Sequence, residues 1–145
     1  MTLAGIRQAV AGRVSGWSGW SQSTWYWQAF GLVPGSRKHK HFSVGVERTD
    51  AQPGRQRSDS GALCRSVLVL RFAYTFRGSD AVTDGDAALG AAQELIERIM
   101  VQGGGWPTSE LQIQIRGLQV GLLDSTHTEQ IGEIQFSVLH YLDLE

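Results

Sequence analysis

The segment Thr49–Leu63, TDAQPGRQRSDSGAL, is a polar arm set between two alternating runs, and that arrangement constrains the fold more than any other feature. Ahead of it Phe42, Val44 and Val46 alternate with Ser43, Gly45 and Glu47. Behind it Leu68, Leu70, Phe72, Tyr74 and Phe76 alternate with Val67, Val69, Arg71, Ala73 and Thr75. A period of two marks strands, and two such runs joined by a polar stretch predict antiparallel neighbours with a long excursion at their tip. Hairpin loops usually hold ~2–5 residues, and longer ones tend to be functional or disordered. With no catalytic apparatus in view, such an arm points to contact with another protein.

Helical spacing appears twice. Leu3, Ile6, Val10 and Val14 share one face of a first helix, with Thr2 as N-cap and Ser15-Gly16 as stop. A second helix is predicted from Asp84 to Val101, with Leu89, Ala92, Ile96, Ile99 and Met100 as its apolar stripe. Thr83 and Asp86 take capping-box-like positions at its start, and Gly103–Gly105 with Trp106-Pro107 ends it. Between the first helix and the first strand, GWSGWSQSTWYWQAFGLVPG has no clean period. It reads as an irregular crossing with a short strand at Thr24–Phe30 and a turn at Pro34-Gly35.

Leu111, Ile113 and Ile115 alternate with Gln112, Gln114 and Arg116 in a further strand, which Leu118, Val120 and Leu122 of the following connection could extend or cross over. A last strand sets Ile134, Phe136 and Val138 on one face. The order predicts α+β: one domain, residues 1–145, with a four-stranded, mainly antiparallel sheet, two helices on one face and the arm at 49–63. The opposite face also carries apolar groups: Val67, Val69 and Ala73, with Leu139 and Tyr141. Two helices cannot cover both faces. Oligomerisation is one answer, and the aromatic segment folding over that face within one chain is the other.

Composition closes several doors. Thirteen basic and 14 acidic residues give a net charge of -1, so overall charge does not favour nucleic acid or a membrane surface. No apolar run approaches the ~18 residues of a membrane span, and no basic-then-apolar leader is evident. The single Cys64 cannot form an internal disulfide, which suits a reducing compartment. Arginine dominates the basic residues, and asparagine is absent; interface chemistry and coding bias both account for this.

Catalytic patterns are missing. Cys64 is far in sequence from any histidine, no GxSxG turn occurs, and His140 with Asp143 is a common chance pairing. His39 and His41 would share a strand face as a half-site for zinc, yet no third ligand is indicated, and RKHKH reads better as a solvated strand entry. Asp84-Gly85-Asp86 lacks the distal Glu of a calcium loop. Gly103–Gly105 follows a helix and lacks the Lys-Ser/Thr of a phosphate loop. Neither an enzyme, a cofactor nor a metal is expected. The tryptophans Trp17, Trp20, Trp25 and Trp27 could stack sugars or bases, form a satellite core, or build an interface. No basic residue is interleaved with them. Lys38 and Lys40, with Arg55 and Arg57, could meet phosphates, an acidic protein surface, or solvent alone.

The layout resembles the tail terminator proteins of long-tailed bacteriophages, of siphovirus or myovirus type. The resemblance rests on a short N-terminal helix, an FSVGV strand preceded by His41, an arm carrying Arg55-Gln56-Arg57, and the long strand SVLVLRFAYTFRG. An Asp-rich helix entry and a closing strand of I-x-F-x-V-x-H form complete it, over Thr2 to about Leu142; the Trp-rich segment departs from the pattern. Proteins of that family are small α+β structural proteins that form a six-fold ring on the finished tail tube. The ring stops tube growth and joins tail to head.

The resemblance implies a homo-oligomer, a hexameric ring, at the head-proximal end of the virion tail, assembled in the host cytoplasm. Its partners would be the tail tube protein and head–tail connector proteins. DNA would pass through without sequence-specific binding, and no membrane is involved. Arg55, Gln56, Arg57 and Asp59 of the arm would bind a partner, and Val67, Val69, Arg71, Leu139 and Tyr141 would form the subunit interface. Trp17, Trp20, Trp25, Trp27, Lys38 and Lys40 are candidates for tube or connector contact. A neck or head-completion connector is the alternative within the virion. A monomeric carbohydrate- or nucleic-acid-binding module using the tryptophans is the alternative outside it.

Overall fold

Both alternating runs form strands, and they pair as the pattern requires. The computed structural model describes residues 2–32, 38–51, 62–76, 80–100, 112–122 and 129–142. In chain order the elements are α1 (Leu3–Val14), β1 (Ser21–Gln22), β2 (His41–Ala51), β3 (Ala62–Thr75), α2 (Ala81–Met100), β4 (Gln112–Leu122) and β5 (Glu129–Leu142). They make an α+β fold with an open, mixed sheet in the order β1-β2-β3-β5-β4. The expected count of four strands is short by one. The extra strand, β1, runs parallel to β2 through Ser21↔His41 and Gln22↔Phe42, while every other pairing is antiparallel. It also replaces the strand expected at Thr24–Phe30, where the chain turns instead.

β2 and β3 stay paired as far as Ala51↔Cys64, so Thr49–Ala51 and Ala62–Leu63 belong to strands rather than to the arm. Backbone hydrogen bonding carried the pairing beyond the point where the apolar alternation fades. Likewise β4 takes in Leu118, Val120 and Leu122 and runs as one strand beside β5.

α1 begins where Thr2 Oγ1 accepts a bond from Gly5 N at 3.0 Å and stops at Ser15, followed by Gly16 at a φ of 78°. α2 starts earlier than expected because Asp80, rather than Thr83, caps it. Asp80 Oδ1 accepts from Val82 N at 3.0 Å, and its Oδ2 from Thr83 Oγ1 at 2.8 Å. Ala88, Ala91, Ala92, Leu95 and Ile99 face the core, whereas Leu89 and Met100, expected there, are exposed.

A single apolar cluster joins Ile6, Val10 and Val14 of α1 and Leu95 and Ile99 of α2 to one sheet face, made by Phe42, Val44, Leu68, Leu70, Phe72, Ile134, Phe136 and Val138. Both helices therefore lie on that face. Their C-terminal ends are tied reciprocally: Arg13 Nε donates to Arg98 O at 3.2 Å, and Arg98 Nε to Arg13 O at 2.9 Å. Each guanidinium thus meets the carbonyl-rich, partially negative end of the other helix.

Around Gly45 and Arg71 the opposite face is covered from within the chain. Gly45 lacks a side chain where Trp27 lies, and a Cβ there would fall inside the indole. Arg71 Nη1 donates to Trp27 O at 3.1 Å, and its guanidinium sits 5.2 Å from the Trp27 ring centre. Ser43 Oγ donates to Trp25 O at 2.8 Å. Val69 has no exposed surface, and Val67 and Ala73 are buried. Val67, Val69, Arg71, Leu139 and Tyr141 were expected to form a subunit interface. Val67 and Val69 do not present an open surface, and Arg71 anchors the crossing segment; Leu139 and Tyr141 are half-buried.

Two glycines test this packing in opposite directions. Gly45→Ala should lower stability by about 1–3 kcal/mol through overpacking, with a red-shifted tryptophan emission as Trp27 is displaced. Gly12→Ala, in the exposed interior of α1 with open space around it, should raise stability by about 0.5–1 kcal/mol. Thermal unfolding of the two variants checks both signs.

Candidate interaction surface

The tryptophans divide into structural and exposed members. Trp20 is fully buried, edge-on to Phe72 at 5.7 Å between ring centres, and Trp27 is buried against Gly45. Trp17 packs partly buried against the core, with the Arg98 guanidinium 5.5 Å from its ring centre. Trp20 and Trp27 serve the fold and offer no flat platform to a tube, a connector, a sugar or a base, and Trp17 keeps part of its surface accessible. Trp25 remains exposed, and with Tyr26 (57% exposed) and Leu32 (71%) it forms the accessible apolar part of the crossing segment.

Lys40 is a tether. Its Nζ donates to Ser18 O at 2.9 Å, and it holds a left-handed backbone at φ 56° between β1 and β3. Lys38 is exposed. His39 lies in a turn, where its Nδ1 accepts from Thr75 N at 3.0 Å, and His41 opens β2, so the two do not form a shared strand face. No group of three metal-ligating side chains occurs among the described residues. Arg55, Gln56, Arg57 and Asp59, along with Pro34-Gly35, Gly103–Gly105, His127 and Asp143, lie outside the described residues.

Sequence reasoning missed a buried polar chain on the helix side of the sheet. Thr49 Oγ1 and Ser66 Oγ are 2.8 Å apart, and Ser66 Oγ lies 2.7 Å from His140 Nε2. Ser66 and His140 share the parity of the apolar positions around them, and that was the available signal. A Ser–His contact of this length suggests catalysis only where substrate can reach it. Ser66 is fully buried and His140 is 1% exposed, so the chain is a core polar network.

Among the described residues, no strand pairs with the outer side of either sheet edge. Among the described residues β2 from Ser43 onward and β4 along its whole length pair on one side only. The β2 edge floors a groove of about 480 Å³. Leu3, Ala4 and Arg7 of α1 form one wall, Tyr26 forms the other, and Val46–Thr49 lie between them. Beside β4, Arg116–Gln119 with Glu133 and Gln135 line a shallower depression of about 290 Å³. This arrangement is suited to backbone-mediated association, and no helix among the described residues is long and apolar enough to cross a membrane. No protein-family model matches the chain, and no curated protein matches it in sequence.

Burial pushes the His140 pKa below the ordinary histidine value. Below about pH 6.5 the unfolded chain therefore takes up a proton that the folded chain refuses, and stability falls with pH. Above that range the contribution is fully present. Burial and nearby Lys38 lower His41 in the same direction. Urea unfolding at about pH 7.5 and 5.5 should show this loss, and His140→Gln should reduce the difference between the two midpoints.

Proposed function

We propose that this chain is a bacteriophage tail terminator, a structural protein whose ring caps the tail tube, halts its polymerisation and offers the surface to which the head connector joins. The observation that carries the reading is the β2–β3 hairpin. Its strands pair from Phe42↔Phe72 to Ala51↔Cys64 with one bulge, so residues 52–61 are the stretch of sequence that links two paired strand ends. Arg55, Gln56, Arg57 and Asp59 all fall in that segment, in the place where the resembling family uses an arm to reach a neighbour or the tube. The element order supports the same reading. The second sheet face gives it no support, since the crossing segment already covers Val69 there.

Capping in this proposal works by surface complementarity. One side of a six-membered ring copies the growing end of the tube, and the other has no site for a further tube ring. DNA passes through the channel without sequence readout. A neck connector would share the ring and bind the portal side instead; co-purification with tube protein rather than portal protein separates the two. A monomeric sugar- or base-binding module loses ground because Trp20 and Trp27 are buried.

Replacing residues 53–60 by a short Gly-Ser link tests the reading without disturbing the last strand pairs. The expected outcome is a folded protein with an unchanged unfolding midpoint that no longer caps, giving overlong tubes by electron microscopy. Tails of normal length would count against the arm.

A further inference from the structure

We infer that copies of this chain join head to tail through their sheet edges, with β4 of one copy pairing along β2 of the next; the inference rests on the ring proposed above and names its subunit contact. The first observation is the character of β4. It is an eleven-residue strand, QIQIRGLQVGL, with one charge, no proline and, among the described residues, one unpaired side. Gln114, Arg116, Gly117, Leu118 and Gln119 are exposed along it. A long edge this poor in charge is one that soluble proteins avoid leaving uncovered, because its backbone groups template another strand.

The second observation is the shape of the β2 edge. β2 is also eleven residues long, and its middle residues Val46–Thr49 line a groove together with Leu3, Ala4 and Arg7 of α1 and with Tyr26. A strand laid there sends alternate side chains to the two walls, which offer apolar surface on both sides. β2 and β4 sit at opposite sides of the same sheet. Their pairing is therefore heterologous, the kind that generates rings when the rotation closes.

Charge decides against the self-paired alternatives. In each edge strand the register skips one residue, Glu47 between Val46 and Arg48 in β2 and Arg116 between Ile115 and Gly117 in β4. Antiparallel pairing of β4 with another β4 about its centre would bring Arg116 towards its own copy, and β2 with β2 would do the same to Glu47. Like charges facing across strands are destabilising, whereas β2 with β4 sets Glu47 against Arg116. Among the described residues Arg116 makes no ion pair, and Glu47 accepts a 3.5 Å bond from Gln135 Nε2 and makes no ion pair.

Charge reversal tests this pairing, read by native mass spectrometry and sedimentation across a concentration series with and without tail tubes. Glu47→Arg and Arg116→Glu should each shift the assembly midpoint about tenfold higher. The double variant should return to within about threefold of the original chain. Failure of the double variant to recover overturns the pairing, as does tighter assembly of Arg116→Gln, which would mark β4 self-pairing. Should a reversed chain fold poorly, oxidation of a chain carrying Glu47→Cys and Arg116→Cys gives the second measurement: a ladder of covalent multimers supports the contact, and monomer alone contradicts it. Rings that form and ignore every substitution sink the edge contact while sparing the terminator reading. A chain that stays single at all concentrations, tubes included, sinks both.

Discussion

The seating of Trp27 on Gly45 is the contact on which the rest of the structure depends. A sheet with helices on one side leaves its other side wet, and here that side carries Val67, Val69 and Ala73. Burying one large aromatic side chain removes ~150–250 Å² from water, worth roughly 4–6 kcal/mol as an upper figure at ~25 cal/mol per Å². Arg71 adds a bond to the Trp27 carbonyl and a cation–π contact, and it also approaches Glu133 at 3.7 Å. Gly31, at φ 86°, then lets the backbone lie against Ile131. Remove the glycine at position 45 and this closure fails.

That closure changes where association can occur. An open apolar face would drive copies together by area alone, without fixing a register. With both faces occupied at Val69 and in the helix-side core, the directional backbone groups without a strand partner among the described residues are those at the edges of β2 and β4. Backbone pairing sets register and strand direction, which a ring with a fixed number of copies requires. The exposed Trp25, Tyr26 and Leu32 lie on the segment that covers the second face, so the same stretch both closes the fold and offers apolar surface outward.

The strands of this fold were largely legible, because a period of two over β2, β3 and β5 has few competing interpretations. α1 was legible for the same reason, with Thr2 and Ser15-Gly16 in their capping roles. α2 began earlier because Asp80 competes with Thr83 for the cap, and its stripe was misphased because the buried side includes the small Ala88 and Ala91 beside Leu95, while Leu89 points outward. β1 was invisible: two residues carry no periodicity, and Ser21 and Gln22 are polar. The crossing segment hid its role because Trp27 meets Gly45 only through tertiary contact, although a glycine within a strand is itself a sign of close approach. The edge groove depends on α1 and Tyr26 converging on β2 from distant parts of the chain, which no local pattern records.

Hydrogen exchange, followed residue by residue in the single chain and after assembly with tail tubes, tests this picture most directly. Association through edges predicts new protection of outward amides in Ser43–Ala51 and Gln112–Leu122, with no change at Val67 and Val69. Loss of protection along residues 23–31, with Val69 exposed and then reburied between copies, would contradict it.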